Sequence, residues 1–150
     1  MIISQDQIDD YLTRYAATLT NLDAGAAADL WTTPGMIADD RFSEVVDSRD
    51  KMIQGLTQSY PLYQKLGLDT VGYELVDEQH LTDALVMVRV RWKFLDTEGK
   101  LLTDSNAYYV LRAEDTDLRA TVCIQTDDAE RIQALATSRG IDLTPPSKGD

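Results

Sequence analysis

The most regular pattern of apolar and polar positions in the chain lies in the segment Ala84–Leu95. Its even positions are all apolar from residue 86 to residue 94, whereas its odd positions carry two apolar residues followed by three cations. A period of two predicts a β-strand with one buried face and one mixed face. The segment is about twice as long as a usual strand, so we expect a strand that bends and crosses most of a sheet.

The same period of two runs through the rest of the second half of the chain. Acidic segments interrupt it, and Gly99 lies where a hairpin turn needs a positive φ angle. The pattern therefore predicts an antiparallel meander of four strands. The predicted strands are Thr70–Val76, Ala84–Leu95, Leu101–Ala113 and Leu118–Thr126.

The beginning of the chain has helical spacing instead. Ser4 and Gln7 have the spacing of a capping box, and the apolar residues that follow fall on one face of a helix over about 4–20. Asp23 is placed to cap a short second helix that runs to residue 31. We expect the segment 32–35 to end it, because it contains a proline, which cannot continue a helix, followed by a glycine.

Two short strands and a third helix are predicted next. The strands are Met36–Ala38 and Phe42–Val46, which fit a hairpin or one bent strand. The helix follows Ser48 and is predicted to continue to residue 66. Pro61 should kink or break it.

After the meander, Asp127 or Asp128 is placed to cap a final helix that ends at Gly140. The residues 141–150 contain two prolines and no core pattern, so they are predicted to form a flexible tail. The length of the chain and the lack of an internal linker predict a single domain over 1–140.

Helices followed by antiparallel strands indicate the α+β class. The order predicts a cone, with three N-terminal helices packed on one face of a curved antiparallel sheet and a short C-terminal helix. A pocket is expected between the first helix and the concave face of the sheet. The other face carries the cations of the central strand, and this suits either contact with solvent or a homodimer formed through the sheet.

The net charge is −12, from 26 acidic and 14 basic residues. A surface this negative repels phosphate backbones and anionic lipids, so neither nucleic acid nor a membrane is an expected partner. The single cysteine, Cys123, lies in an apolar run and is expected to be a small buried sheet residue. Without a cysteine pair or a signal-peptide pattern, we expect a cytoplasmic location.

Several segments of the chain resemble those of a known superfamily. They are Thr13–Ala16 through Asp23, the pair Leu30–Trp31, the segment Phe42–Asp50, and Leu101–Thr126. With the order of the elements, they resemble the nuclear transport factor 2-like superfamily over about residues 4–127. Its smaller members include SnoaL-like polyketide cyclases, bacterial ketosteroid isomerases and limonene epoxide hydrolases. The resemblance implies the cone fold, which hosts enzymes, carriers and association domains.

Against the ketosteroid isomerases, the segment Tyr15–Asp39 aligns without a gap. The resemblance places Tyr15 at the position of a tyrosine that donates to the oxyanion, and Asp39 at that of the general base. The third member of the site, a protonated aspartic acid, is absent, and Tyr108 takes its place by hairpin counting. The resemblance thus implies a Tyr–Asp–Tyr set for proton transfer, with Asp39 inside a dry pocket and its pKa raised by burial.

Each of these residues also has a structural interpretation. Asp39 fits a solvated turn, and Tyr15 fits a core tyrosine. Asn106 and Tyr108 lie on one face of their strand, and a shift of one residue would bring Tyr109 into the pocket instead. With those three catalytic candidates, the predicted pocket wall consists of Leu19, Trp31, Met52, Leu56, Tyr60, Trp92 and Asn106.

No metal site is expected, since His80 is the only histidine and lies in an acidic turn. Arg89 and Arg91 resemble the arginine that epoxide hydrolases of this fold hold between two acids, and Asp104 is placed to pair with one of them. A solvated or dimer face is the other interpretation of these arginines.

Three functions fit the sequence. The first is an enzyme of the isomerase, cyclase or hydrolase kind that needs no cofactor and acts on a small apolar oxygenated molecule. The second is a non-catalytic protein that binds a small apolar ligand. The third is a dimerisation or scaffolding domain whose cone is filled by its own aromatic side chains, namely Trp31, Tyr60, Tyr63 and Trp92.

Overall fold

The structure is a computed structural model that describes residues 2–115 and 117–141. The predicted flexible tail, apart from Ile141, lies outside the described residues. The helices are α1 (Gln5–Thr20), α2 (Ala24–Ala28), α3 (Arg49–Thr57), α4 (Tyr60–Lys65) and α5 (Asp128–Ser138). The strands are β1 (Trp31–Ala38), β2 (Ser43–Val46), β3 (Thr70–His80), β4 (Leu85–Leu95), β5 (Leu101–Glu114) and β6 (Asp117–Gln125).

The six strands form one sheet in the order β2-β1-β6-β5-β4-β3. β1 pairs with β6 in parallel, and the other pairs are antiparallel. The predicted meander is β3 to β6, and the predicted α+β architecture with a curved sheet is confirmed.

The first helix begins with the predicted capping box. The Ser4 hydroxyl accepts a hydrogen bond from the Gln7 N–H at 3.2 Å, and the Gln7 side chain accepts one from the Ser4 N–H at 2.8 Å. These bonds satisfy donors that the first turn of a helix otherwise leaves free. The buried face of α1 then presents Ile8, Tyr11 and Tyr15 to the core.

The alternation in β4 also agrees with the prediction. Val86, Val88 and Val90 are fully buried, and Trp92 and Phe94 are no more than 4% exposed. The odd-numbered residues of β4 are only partly buried, so they form the outer face of the sheet. The core lies on the inner, concave face, between the sheet and the helices.

The predicted end of the second helix is wrong. α2 ends at Ala28, and the segment predicted as a helix end and turn is the first part of strand β1, which continues through the predicted strand Met36–Ala38. β1 pairs with β6 at Trp31 and again from Met36 onward, with an irregularity between them. Pro34 lies in that irregular stretch, where its missing N–H interrupts no regular pairing. The prediction failed because the partner strand is about 90 residues away in the sequence, beyond the reach of a local pattern.

Two further boundaries differ in an informative way. Pro61 lies in the first turn of α4, where proline is tolerated, so the predicted third helix breaks into α3 and α4. The predicted turn at 77–83 is shorter, because β3 continues to His80 in register with Val86 of β4. Neither change alters the layer order.

One buried hydrogen bond ties α1 to the start of β1. The Tyr11 hydroxyl donates to the Leu30 carbonyl at 2.8 Å, and the same carbonyl accepts from the Ala120 N–H at 2.9 Å. Tyr11 is fully buried, so this bond fixes the helix against the central strands in the absence of water.

Replacing Tyr11 with phenylalanine should lower the free energy of unfolding by about 1 kcal/mol, since one buried hydrogen bond is lost while Leu30 keeps its other donor. Chemical denaturation monitored by circular dichroism measures the change. Tyr108→Phe, on the outer face, is the control and should change it by less than about 0.5 kcal/mol. Equal effects of the two substitutions would contradict this role of Tyr11.

Candidate functional site

A cavity of about 360 Å³ lies between the helices and the concave face of the sheet. Residues of α1, α3 and α4 border it on one side, and residues of β1, β4, β5 and β6 border it on the other. Its size is within the range of sites that hold small organic molecules. Seven of the lining residues that the structure describes are aromatic, namely Tyr15, Phe42, Tyr60, Tyr63, Trp92, Phe94 and Tyr109.

The deep wall of the cavity is held by two indole–phenol hydrogen bonds. The Trp31 indole N–H donates to the Tyr15 hydroxyl at 3.1 Å, and the Trp92 indole N–H donates to the Tyr109 hydroxyl, also at 3.1 Å. The Tyr15 ring centroid lies 5.5 Å from that of Trp92 and 5.9 Å from that of Tyr109. Burial raises the pKa of the Tyr15 and Tyr109 phenols, so both stay neutral and can donate hydrogen bonds.

The candidate base, Asp39, lies outside this cavity. Its carboxylate caps the β1–β2 turn, where one oxygen accepts from the backbone N–H groups of Arg41 at 2.8 Å and Phe42 at 3.1 Å. The Arg41 guanidinium lies 3.6 Å from the other oxygen. The side chain is 14% exposed, and Asp39 and its own turn help to line a separate shallow groove.

The expectation that Asp39 faces a dry pocket with a raised pKa is therefore wrong. The backbone hydrogen bond from Arg41, followed by that from Phe42, lowers the pKa of Asp39. Both bonds stabilise the ionised form, whereas a general base in an apolar cavity needs a destabilised one. A catalytic role for Asp39 stays a prediction that this geometry does not support.

The third candidate, Tyr108, faces the outer side of the sheet. In the register of β5 it lies between Arg89 of β4 and Ile124 of β6, and the Arg89 guanidinium carbon is 5.8 Å from the centroid of its ring. Its neighbour Tyr109 enters the cavity instead. The expectation that Tyr108 points into the pocket is wrong because the strand register is shifted by one residue from the predicted one.

Most of the predicted wall residues do border the cavity. They are Leu19, Met52, Leu56, Tyr60, Trp92 and Asn106. Trp31 is not among the lining residues. Its indole donates to the Tyr15 hydroxyl and its ring centroid lies 6.5 Å from that of Tyr109, so it contacts the cavity wall through these two tyrosines. The Asn106 side-chain amide donates to one carboxylate oxygen of Asp127 at 3.2 Å, and the Asn106 backbone N–H donates to the other at 2.7 Å.

Asp128 is the carboxylate that the structure adds to the cavity wall. Both Asp127 and Asp128 were candidates for the cap of the last helix. Asp127 is the N-cap residue, which leaves Asp128 in the first turn of α5, partly buried and facing the cavity. Burial raises the pKa of Asp128; the Ser105 hydroxyl opposes this, and the charges of Asp127 and Glu130 add to it. In the sequence, the adjacent acids Asp127 and Asp128 after the last strand were the signal for a carboxylate at the cavity. Only the fold shows that Asp128 is the one that faces inward.

Two further phenols complete the polar groups near Asp128. The Tyr60 hydroxyl is buried and has no hydrogen-bond partner among the residues that the structure describes. Tyr63 is partly buried, and the pKa of its phenol is raised by burial and by the charge of Asp128. The cavity thus offers neutral donors and one partly buried carboxylate, that of Asp128, while the other carboxylate that lines it, Glu44, is exposed.

The remaining candidates lie elsewhere. Arg91 pairs with both Asp104 and Glu74, so an acid–Arg–acid set exists, but it lies on the outer face of the sheet. His80 pairs with Glu78 at 2.9 Å on the surface. Within 2–115 and 117–141, three or more side chains of the kinds that bind metal ions do not come together. Cys123 is buried in the sheet, as predicted.

Among the described residues, none of the helices is both long and apolar enough to cross a membrane.

The raised pKa of Asp128 gives a testable link between pH and stability. Its ionised form is disfavoured in the folded state, so its contribution to stability is present below the unfolded pKa of about 3.9 and is lost as pH rises through the folded pKa. Asp128→Asn should therefore raise the melting temperature at pH 7, and the gain should disappear below about pH 4.

Thermal unfolding followed by circular dichroism across this pH range measures the effect. Glu130→Gln is the matched control, since it removes an exposed carboxylate from the same helical turn and loses the same favourable interaction with the helix N-terminus. If Asp128→Asn is no more stable than Glu130→Gln at pH 7, burial of the Asp128 carboxylate is not destabilising.

Comparisons with solved structures show the same fold at low sequence identity. An NTF-2 like protein of unknown function from Shewanella oneidensis MR-1 gives a TM-score of 0.66 at 15% identity, covering 83% of this chain and 100% of that one. A domain of unknown function with a cystatin-like fold from Nostoc punctiforme gives 0.65 at 12% identity, covering 94% and 90%. A ketosteroid isomerase-like protein from Erwinia carotovora atroseptica gives 0.61 at 13%, covering 81% and 93%.

No curated protein matches the chain in sequence at a significant level. A family profile does, over residues 4–128, and its description is NTF2-like protein (DUF6841). This confirms the resemblance to the nuclear transport factor 2-like superfamily. With five-sixths of its length matched, the chain belongs to the NTF2-like protein (DUF6841) family.

Proposed function

We propose that the protein binds a small, largely apolar molecule in the cavity between its helices and its sheet. The observation that carries the proposal is the aromatic cavity of about 360 Å³ with the Tyr60 hydroxyl left without a partner among the described residues. A buried hydroxyl without a partner is costly, and a ligand with a polar group removes that cost. The third hypothesis, a cone filled by its own side chains, is disfavoured by the same cavity.

An isomerase, cyclase or hydrolase reaction on such a ligand stays a prediction. The two residues predicted to act together with Tyr15 in such a reaction, namely Asp39 and Tyr108, lie outside the cavity. Tyr15 itself does line it, as a neutral donor beside Trp92. Ligand binding therefore needs fewer assumptions than catalysis, and it is the function that the geometry supports best.

Gly55 offers a way to test entry into the cavity. It lies on α3 at the edge of the cavity and is exposed, and a Cβ atom there would meet nothing within 4 Å. Gly55→Phe should narrow the mouth and weaken binding of 2-phenylethanol by about tenfold, measured by isothermal titration calorimetry. Gly72→Phe is the control, because that glycine also has open space around it but lies on β3, away from the cavity.

The two indole groups report where the ligand binds. Trp92 lines the cavity, whereas Trp31 contacts its wall through Tyr15. In a proton–nitrogen correlation spectrum, 2-phenylethanol should shift the Trp92 indole signal more than the Trp31 signal. Equal affinity of the Gly55→Phe and Gly72→Phe proteins, or no shift at Trp92, would rule out this cavity as the binding site.

Substitution of Asp39 tests its predicted role as the general base of the cavity. Asp39→Asn should leave the affinity for 2-phenylethanol unchanged, since its carboxylate belongs to the β1–β2 turn and not to the cavity wall. Calorimetry on the same ligand measures this. A loss of affinity would indicate that Asp39 is part of the binding site.

A second role, as a dimerisation domain, is favoured by the outer face of the sheet. One row of residues in direct register crosses five strands there and is entirely apolar. We call it the outer apolar row. It consists of Met87, Val110, Val122, Met36 and Val45. Met36 is 37% exposed and Val45 is 57% exposed, so the row presents apolar area to its surroundings.

We infer that a second copy of the chain covers the outer apolar row, because two such rows can pack against each other across a twofold axis. The protein should then elute from size exclusion with light scattering at twice its chain mass of 16.8 kDa. Val110→Lys should give a monomer, because it places a charge within the row, between Met87 and Val122. Leu81→Lys, at an exposed leucine outside the row, should leave the dimer intact. A monomeric wild-type protein would contradict the inference.

A further inference from the structure

The cavity contains a negative charge that the described part of the protein does not neutralise. Among the ion pairs of the described residues, none involves Asp128, although it borders the cavity and is partly buried. Its neighbour Asp127, in contrast, pairs with Arg131 at 3.4 Å. The one lysine that lines the cavity, Lys51, is exposed and pairs with Asp47 at 3.2 Å.

An ionised carboxylate offers acceptors only, so it is satisfied by groups that donate. The Ser105 hydroxyl is the protein group that acts on Asp128 in this way. A buried or partly buried charge of this kind is stabilised most by an opposite charge with N–H donors. The missing partner is therefore a cation, and it must come from outside the described chain.

The walls around this carboxylate also favour a cation. Seven aromatic rings of the described residues line the cavity, and the faces of such rings attract positive charge. At longer range, the net charge of −12 raises the local concentration of cationic ligands and lowers that of anionic ones.

The position of Asp128 keeps the cost of burying such a cation low. Asp128 borders both the aromatic cavity and the shallow groove beside α5. A positively charged group at Asp128 can therefore keep contact with water through the groove, while the apolar part of the same molecule lies in the cavity. This avoids the full desolvation of an ion.

We infer that the ligand of this cavity is a small hydrophobic amine, whose protonated nitrogen pairs with Asp128 while its apolar part packs against the aromatic wall. The inference rests on the proposed ligand-binding function and adds the chemical class of the ligand. The Tyr60 hydroxyl supplies a second polar contact, either to the nitrogen or to an oxygen on the same molecule.

A series of three molecules of nearly equal size tests the charge requirement. They are 2-phenylethylamine, which is protonated at pH 7, 2-phenylethanol, which is a neutral donor, and ethylbenzene, which is apolar. Calorimetry with the wild-type protein at low salt should show the amine binding at least about tenfold more tightly than the alcohol. The preference should shrink as salt is added, because screening weakens the ion pair.

Two matched variants test whether Asp128 is the source of the preference for the amine over the alcohol. Asp128→Asn should reduce the amine-to-alcohol ratio to about threefold or less. Glu130→Gln, which removes an exposed charge from the same helical turn, should keep the wild-type ratio. The ratio in the wild-type protein is measured without any substitution, so the inference stays testable even if a variant does not fold.

The outcomes separate this inference from the function on which it rests. If the alcohol or ethylbenzene binds as tightly as the amine, the amine assignment is overturned while the binding cavity stands. If none of the three molecules shifts the Trp92 indole signal or releases heat, both proposals fail. If the amine preference persists in Asp128→Asn but is lost in Glu130→Gln, the charged contact lies in the groove and the assignment to Asp128 is overturned.

Discussion

The register of β5 between its two neighbours is the constraint on which the cavity depends. β5 is the central strand of the meander, and its alternation assigns each residue to the cavity or to the outer face. Tyr109 faces inward and accepts a hydrogen bond from Trp92, whereas Tyr108 faces outward beneath Arg89. A shift of the register by one residue would exchange the two tyrosines. It would bring Tyr108, whose ring contacts Arg89, into the core.

The parallel pairing of β1 with β6 is the second constraint. It places the helices of the N-terminal part over the concave face and brings the end of β6 beside the β1–β2 turn. The chain leaves β6 directly into α5, so Asp127 and Asp128 arrive at the edge of the cavity. One of them is the N-cap residue, whose carboxylate holds Asn106, and the other faces inward. Two adjacent acids thus have different roles because the helix start turns successive side chains in different directions.

Much of the fold could be predicted from local patterns. The capping box of Ser4 and Gln7, the alternation in β4 and the four-strand meander all depend on neighbouring residues, and each is present in the structure. The first part of strand β1, from Trp31 to Gly35, could not be predicted in this way, because its partner is distant in the sequence and its proline suggested a turn. Tyr108 and Asp39 were misplaced for a related reason: the first depended on counting across a hairpin, and the second on a family alignment that does not determine whether a side chain faces a cavity or caps a turn.

The last helix is attached differently from the rest of the wall. α5 packs through its own small cluster of Leu66, Ile132, Leu135 and Ala136, separate from the main core. Arg139, just after the helix, adds one hydrogen bond to the Leu66 carbonyl at 3.0 Å. Opening this small cluster exposes far less apolar area than unfolding the sheet, so α5 can detach at a lower free energy than the sheet can unfold. The helix α5, which carries Asp128, is therefore the part of the cavity wall best suited to move aside. A bound molecule can leave in this way while the strands stay intact.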